Sequence, residues 1–398
     1  MVRSLAISED GEYIIVGTGQ NWEVSGDNTV YLLYRNGSLL WSYPVAVEVG
    51  SVAISDNGDY IVAGSEDTDI YLFDKQGTKL WNYNTSNEIC SVDISGDGFY
   101  ITAGGKSDYI YLFNKTSGEP MLAHAAIGDV RSVAISQDGQ FHTAGDGGGN
   151  AYLFNSTNST PQWVEDVGGY YFDVDISGNG DYIIAGRNED LFLLNQTGQV
   201  WHYDQVGFGV YTRISLDGEL IAVGSSDDVY LFSKDNNSYL WKATLPNSDQ
   251  VGAVGFSSDG QYIVAGAIPN LGDSVVYVFN KTSSTTLWTA LRYAQTSSHA
   301  AAGHVAISGN GSSIIAGGSY VTDYSSDGYG IVYFFDLVHE PSSQDSGDLS
   351  SLVLLGFGAS SGDILWIIVV LGLVSGVIVG VLLVDYFKTN RILGKGRG

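Results

Sequence analysis

Val49 to Gly64 reads VGSVAISDNGDYIVAG, and Tyr71 to Tyr83 follows with YLFDKQGTKLWNY. SVAIS and YIVAG carry the two-residue side-chain period of half-buried strands, and IYLF and KLWNY are short β-rich runs. Asn57-Gly58 joins the first two as a tight hairpin, because glycine supplies the positive φ such a turn needs. Asp74-Lys75-Gln76-Gly77 joins the last two with polar turn chemistry. The unit is therefore four antiparallel strands, a to d, with a nearest a central axis.

The first phrase recurs eight times, from Val2, Val49, Ile89, Val130, Tyr171, Val210, Val251 and Ala302. The spacing, about forty residues, is that of one four-stranded propeller blade. One such unit cannot bury a core, but a ring of stacked units can. Residues 1–337 are thus expected to form an all-β, eight-bladed β-propeller of four-stranded blades with no second domain. Composition agrees: 52 glycines, 26 tyrosines and only 6 prolines suit many short strands and turns.

Two families are resembled over about 335 residues. ISDNGDYIVAG resembles the WD-repeat pattern, in which a serine and an Asp-Gly turn link the inner strands. GSEDTDIYLFDKQGTKLWNY, from Gly64 to Tyr83, looks like the repeat of pyrroloquinoline-quinone (PQQ)-type propellers. The WD dipeptide and its Gly-His partner are absent from most of the matching positions. The resemblance implies a propeller and leaves catalysis, cofactor binding and plain binding open.

Strand d is marked by Trp41, Trp81, the region of Met121, Trp163, Trp201, Trp241 and Trp288, whereas repeat eight stops after strand c, Tyr333 to Asp336. The last blade is expected to lack its outer strand, since Met1 sits directly on the first strand a and leaves nothing to supply it. An acidic, serine-rich linker is read over 338–363. Ile364 to Val384 then runs 21 residues without a charge, the length of a membrane-spanning helix. Lys388, Arg391, Lys395 and Arg397 follow in a short tail, 385–398, so the positive-inside rule puts the tail in the cytoplasm and the propeller outside. That topology needs an export signal, and none is visible at Met1; a start upstream of Met1 would supply both the signal and the closing strand. Gly372, Gly376 and Gly380 recur on one face of the expected helix and would let a second copy approach, permitting a homodimer.

Nine Asn-x-Ser/Thr sequons fit an outside location: Asn36, Asn84, Asn114, Asn155, Asn158, Asn195, Asn236, Asn280 and Asn310. The same residue types favour β-turns, so glycosylation and turn chemistry both account for them. Most lie in c-to-d turns and Asn310 in an a-to-b turn, which is one face of the disc; Asn84 lies on the other.

The formal net charge of −27 argues against nucleic acid, whose phosphates it would repel. It is compatible with Ca²⁺ or cationic partners, but the Asp-Gly turns sit at hairpin positions in every blade and need no Ca²⁺. No cofactor is expected. The 6 histidines lack metal-ligand spacing, and no Ser-His-Asp or Cys-His order stands in a catalytic context, so the chain is read as a non-enzyme. Cys90 is the single cysteine, read as a small buried residue of a strand a.

Function is sought where the repeat breaks, because loops on a rigid scaffold carry it. The b-to-c connection is lengthened in repeats one (Gly17 to Tyr31), seven (Gly266 to Tyr277) and eight (Gly317 to Tyr333), and the passage from Ala290 to Gly303 is also extended. These four lie on one face, in three blades that are neighbours in a closed ring. They carry Trp22, Glu23, Asp27, Asn270, Asp273, Arg292, Tyr293, His299, His304, Tyr320, Asp323, Tyr324, Asp327 and Tyr329. Aromatics mixed with carboxylates suit an extracellular protein or a glycan; loop drift at a chain seam would lengthen the same loops at little cost. The expectation is a cell-surface, membrane-anchored binding or scaffolding module. An envelope assembly scaffold and, less favoured, a quinone-dependent or other propeller enzyme are the alternatives.

Overall fold

The computed structural model describes residues 1–19, 27–169, 173–246, 250–268, 275–291, 304–321, 328–338, 348–357, 364–371, 373–374, 377–378 and 381–384. Among the described residues eight antiparallel blade sheets follow one another in chain order, seven of four strands and the last of six, besides a two-stranded pair at 373–378. In blade two the strands are Val49–Ile54, Tyr60–Ser65, Asp69–Asp74 and Lys79–Asn84. Strands b and c are sandwiched between neighbouring blades, so Ile61, Val62, Ala63, Ile70, Leu72 and Phe73 are all fully buried and read as continuous apolar runs. Strand d alternates, with Lys79, Leu80, Asn82 and Asn84 exposed.

Two recurring devices explain the repeated phrase. The buried Ser55 ends strand a; its hydroxyl donates to Asn57 Oδ1 at 3.1 Å and accepts from the Tyr60 N–H at 3.0 Å, which fixes the a-to-b hairpin. Where strand d carries a tryptophan, it ties the blade to the next: Trp41, Trp163, Trp201 and Trp241 Nε1 donate to the carbonyls of Lys75, Asn195, Lys234 and Lys281 at 3.0, 2.9, 2.9 and 3.0 Å. Gly77 shows the constraint this sets, for its φ is +82° and an added Cβ would lie 2.7 Å from Trp41 Cγ.

The ring closes by packing of the last blade on the first. Ile315, Val332 and Phe334 of blade eight share one core with Val2, Leu5, Val16, Tyr31 and Leu33. Backbone bonds also link successive a-to-b turns around the axis, among them Glu9 N–H to Asp56 O at 3.0 Å, Asp56 N–H to Gly96 O at 3.0 Å and, across the seam, Gly309 N–H to Glu9 O at 2.9 Å.

One expectation is corrected and a second is not shown. Blade eight does not end at strand c: Asp348–Phe357, inside the stretch read as a linker, pairs antiparallel with Gly328–Val338 and completes the fourth strand. The expected helix over 364–384 is not shown among the described residues. Ile364–Leu371 pairs with Asp348–Phe357, and Val381–Val384 pairs in turn with Ile364–Leu371. Among the described residues no helix is long and apolar enough to cross a membrane. The physical reason is that a run rich in Val and Ile has strand propensity as well as hydropathy, and an apolar run alone does not distinguish the two. Gly372, Gly376 and Gly380 lie outside the described residues.

Candidate functional site

Of the loop residues expected to converge, Trp22, Glu23, Asn270, Asp273, Arg292, Tyr293, His299, Asp323, Tyr324 and Asp327 lie outside the described residues. Tyr320 and Tyr329 are brought together as cross-strand partners. They belong to a b-to-c hairpin that runs on past the usual blade height, with strands Ser313–Val321 and Gly328–Val338 of 9 and 11 residues against 6 and 6 in blade two. Asp27 has a local role: it accepts hydrogen bonds from the hydroxyls of Thr18 and Tyr31. Asp67 with Tyr71, at 2.8 Å, and Asp146 with Tyr152, at 2.6 Å, do the same in blades two and four.

The sequon asparagines are turn residues first. In the c-to-d turns Asn195 Oδ1 accepts from the N–H of Thr197 at 2.8 Å and from its hydroxyl at 2.7 Å, and Asn36, Asn114, Asn155, Asn158, Asn236 and Asn280 bond the Ser or Thr two residues on in the same way. Asp74 fills this position in blade two, accepting from Gln76 and Thr78 N–H. Asn310 accepts from Ser308 as Asn57 does from Ser55. Asn84 Nδ2, the atom a glycan would occupy, donates to Thr68 Oγ1 at 2.7 Å and Asp69 Oδ1 at 3.1 Å.

The axis of the ring holds a more built constellation. Strand a is the inner edge of each blade, and its side chains alternate between the core and a central cavity of about 990 Å³. At the first channel-lining level serines staple neighbouring blades: Ser4, Ser51 and Ser91 Oγ accept from the N–H of Val52, Val92 and Val133, each at 3.1 Å, and Ser132 Oγ from Val174 N–H at 3.2 Å. Blade five places Asp173 there, accepting from Thr212 N–H at 2.8 Å, and blade six places Tyr211. At the next level Ala6, Ala53, Ala134, Gly255 and Ala306 leave the channel open, but blades three, five and six carry Asp93, Asp175 and Arg213.

These charges are held by the edges they face. Asp93 Oδ1 accepts from its neighbour Ile94 N–H and Oδ2 from Ile135 N–H of blade four, both at 2.9 Å; Asp175 Oδ2 accepts from Ile214 N–H of blade six at 2.9 Å. Arg213 Nη1 donates to the Thr212 carbonyl at 2.7 Å and lies 3.3 Å from Asp173 Oδ2. Burial pushes the Asp93 carboxyl up to about 7; its two N–H bonds and Arg213 oppose this, and the charge of Asp175 adds to it. Burial likewise lifts Asp175 to about 6 against the pull of Arg213 and of the Ile214 and Ile176 N–H groups. Loss of solvation alone would lower Arg213, but Asp173, Asp175 and Asp93 together outweigh it and raise its affinity for the proton. Near neutrality the group is therefore negative and carries part of a proton.

One mouth of the channel carries three ion pairs: Arg3 with the buried Glu48, and the more exposed pairs Lys106 with Glu88 and Arg131 with Asp129 at 2.6 Å, the last two contributing little to stability. Cys90 is not the buried core residue expected from sequence; it lines the channel, half-buried. Among the described residues no group of three or more His, Cys, Asp or Glu side chains is placed to hold a metal ion.

Fold and repeat together define the class: an eight-bladed β-propeller. Residues 187–337 match the family described as outer membrane protein assembly factor BamB, and residues 2–144 match a family of unknown function, DUF5711. No curated protein matches the chain.

Proposed function

We propose that this protein is a non-catalytic binding and scaffolding propeller, tethered to a membrane by residues 364–384 with its ring on the outer side. The observation that carries the binding role is the blade-eight hairpin. Four further residue pairs, Gly318 with Ile331 through Val321 with Gly328, extend its ladder beyond the ordinary blade, next to the seam with blade one. A propeller needs no such extension to close, and a longer paired ladder offers a partner backbone already ordered, at low ordering cost.

The tether rests on the uncharged run from Ile364 to Val384. Within it Ile364–Leu371 and Val381–Val384 pair beside blade eight. In lipid an open sheet edge leaves N–H and C=O groups unmet, so the same run takes the helical form, with Gly372, Gly376 and Gly380 on one face and the basic tail inside. The partner is an extracellular protein or glycan. The family matched by 187–337 bears the name of an outer membrane protein assembly factor, which favours an envelope assembly partner within this reading.

The test is cross-linking and affinity capture of the full chain from its native membrane, comparing wild type with a Tyr320→Ser, Tyr329→Ser variant. The expected result is a defined set of membrane or surface proteins that falls tenfold or more in the variant while its melting temperature is kept. Equal recovery from both proteins would refute the hairpin as the binding element.

A further inference from the structure

We propose that the central channel holds a separate binding site, formed by the inner strands of blades five and six with Asp93 of blade three, and that it takes an organic cation bearing a primary ammonium or guanidinium group. The inner strands break the repeat here more sharply than any loop. Asp173 and Tyr211 stand where blades one to four carry Ser4, Ser51, Ser91 and Ser132; Asp93, Asp175 and Arg213 stand where the other blades carry alanine or glycine. Those other blades seal to their neighbours without charge, so ring closure does not require the substitutions.

A second feature points to the same ligand chemistry. Phe208 is 69 % exposed, held out between Gly207 and Gly209, whose φ values are +89° and +73°, and Tyr211 is 40 % exposed. Both line the cavity that holds the carboxylates. Neither belongs to a blade core, and an uncovered aromatic beside carboxylates is the arrangement that recognises ammonium and guanidinium groups, through the ring face and charge-assisted hydrogen bonds together. Three carboxylates share the cavity with two arginines, Arg213, engaged by Asp173, and Arg131, engaged by Asp129, so the carboxylates outnumber the cations. The carboxylate oxygens already turn toward backbone N–H groups of the next blade. A cation bringing its own N–H donors fits such a set better than a bare metal ion, which needs several oxygens turned on one point.

The site stands independently of the blade-eight hairpin. The ionisable groups sharing the cavity with Asp93 are Cys90, Arg131, Asp173, Asp175, Arg213 and His304, besides Tyr211. Only a group that keeps Asp93 ionised gains from binding there, so binding competes with its proton.

The experiment is calorimetric titration of the full chain with two probes, putrescine as a free amine and a short arginine-bearing peptide as a protein side chain, at pH 8 and pH 5.5. Saturable binding of either supports the site, and which probe binds tells the source of the cation. Affinity is expected to fall at least about thirtyfold between the two pH values as Asp93, titrating near 7, takes up its proton, with Asp175, near 6, adding to the loss. Asp175→Ala and Tyr211→Ser each restore the residue of the repeat; both are expected to weaken binding tenfold or more with melting temperature little changed. No saturable binding of either probe at millimolar concentration, or equal affinity in Asp175→Ala, overturns the proposal.

Discussion

His142 should be replaceable by isoleucine with a gain in stability that grows as the solution is made acid. The second residue of strand b is Ile14, Ile61, Ile101, Ile183, Ile221, Ile263 and Ile314 in seven blades and His142 in the fourth, and all eight are buried to 1 % exposure or less. His142 stacks on Phe154 with centroids 4.8 Å apart and planes 5° from parallel, and neither ring nitrogen has a hydrogen-bond partner. Burial drops its pKa to about 3. The folded state thus refuses a proton that the unfolded chain accepts near 6.5, so the neutral ring's stability is complete above pH 6.5 and is lost as pH falls towards 3. The loss is about 1.4 kcal/mol per pH unit, or about 2 kcal/mol at pH 5. At pH 8 the variant also sheds buried nitrogens that cost about 1–3 kcal/mol unmet, offset by roughly 0.5–1.5 kcal/mol of lost ring stacking. Urea unfolding of wild type and His142→Ile at pH 8 and pH 5 measures both parts. The variant should be more stable by about 1 kcal/mol at pH 8 and about 3 kcal/mol at pH 5. A difference between the two proteins that stays constant with pH, or a variant weaker at pH 8, would refute the reasoning.

The Asp93 carboxyl should titrate near 7 when followed by carbon-13 NMR, and Arg213→Leu should move it higher, because the guanidinium is one of the groups holding it down; a midpoint near 4 would contradict the channel electrostatics. Its linkage has the sign opposite to that of His142. A carboxyl raised from 3.8 to about 7 destabilises the fold above pH 7, and that cost fades as pH falls through 7 and is gone below 3.8. Trp201→Phe removes a 2.9 Å bond to the Lys234 carbonyl of the next blade and should cost about 1–2 kcal/mol in denaturant unfolding, the hydrogen bond plus lost packing. Asn195→Asp keeps the acceptor that Asp74 supplies in blade two and should leave stability within about 0.5 kcal/mol, whereas Asn195→Ala should cost about 1 kcal/mol; equal stabilities would remove the turn role, and a mass loss common to both would reveal a glycan.

The strands and turns were legible because each blade repeats one set of physical demands, and the repetition turns a weak local signal into a strong one. Ser55, Asn57 and Gly58 predict the a-to-b hairpin from chemistry alone, and Trp41 marks a contact with the next blade. The outer strand of blade eight was hidden because Asp348–Phe357 lacks the tryptophan that marks strand d in most other blades and follows strand c at a longer interval. The apolar run after it satisfies the period of neither helix nor strand, so length alone carried the helical expectation. The channel charges were missed for another reason. Asp93, Asp175 and Arg213 are single substitutions inside strands of unchanged length, visible only when the copies are compared position by position, and the insertion lengths that drew attention to Tyr320 and Tyr329 carry no trace of them. Asparagine served two readings at once, since Asn-x-Ser/Thr is both a sequon and an Asx turn.

Alkaline carbonate extraction of membranes from the native host, with the chain followed by antibody beside a version ending before Ile364, tests the tethered-propeller account most directly. The account predicts that the full chain stays in the membrane pellet while the shortened one is released as a folded ring. Release of the full chain into the supernatant would contradict the membrane tether and leave residues 364–384 as a strand extension of blade eight.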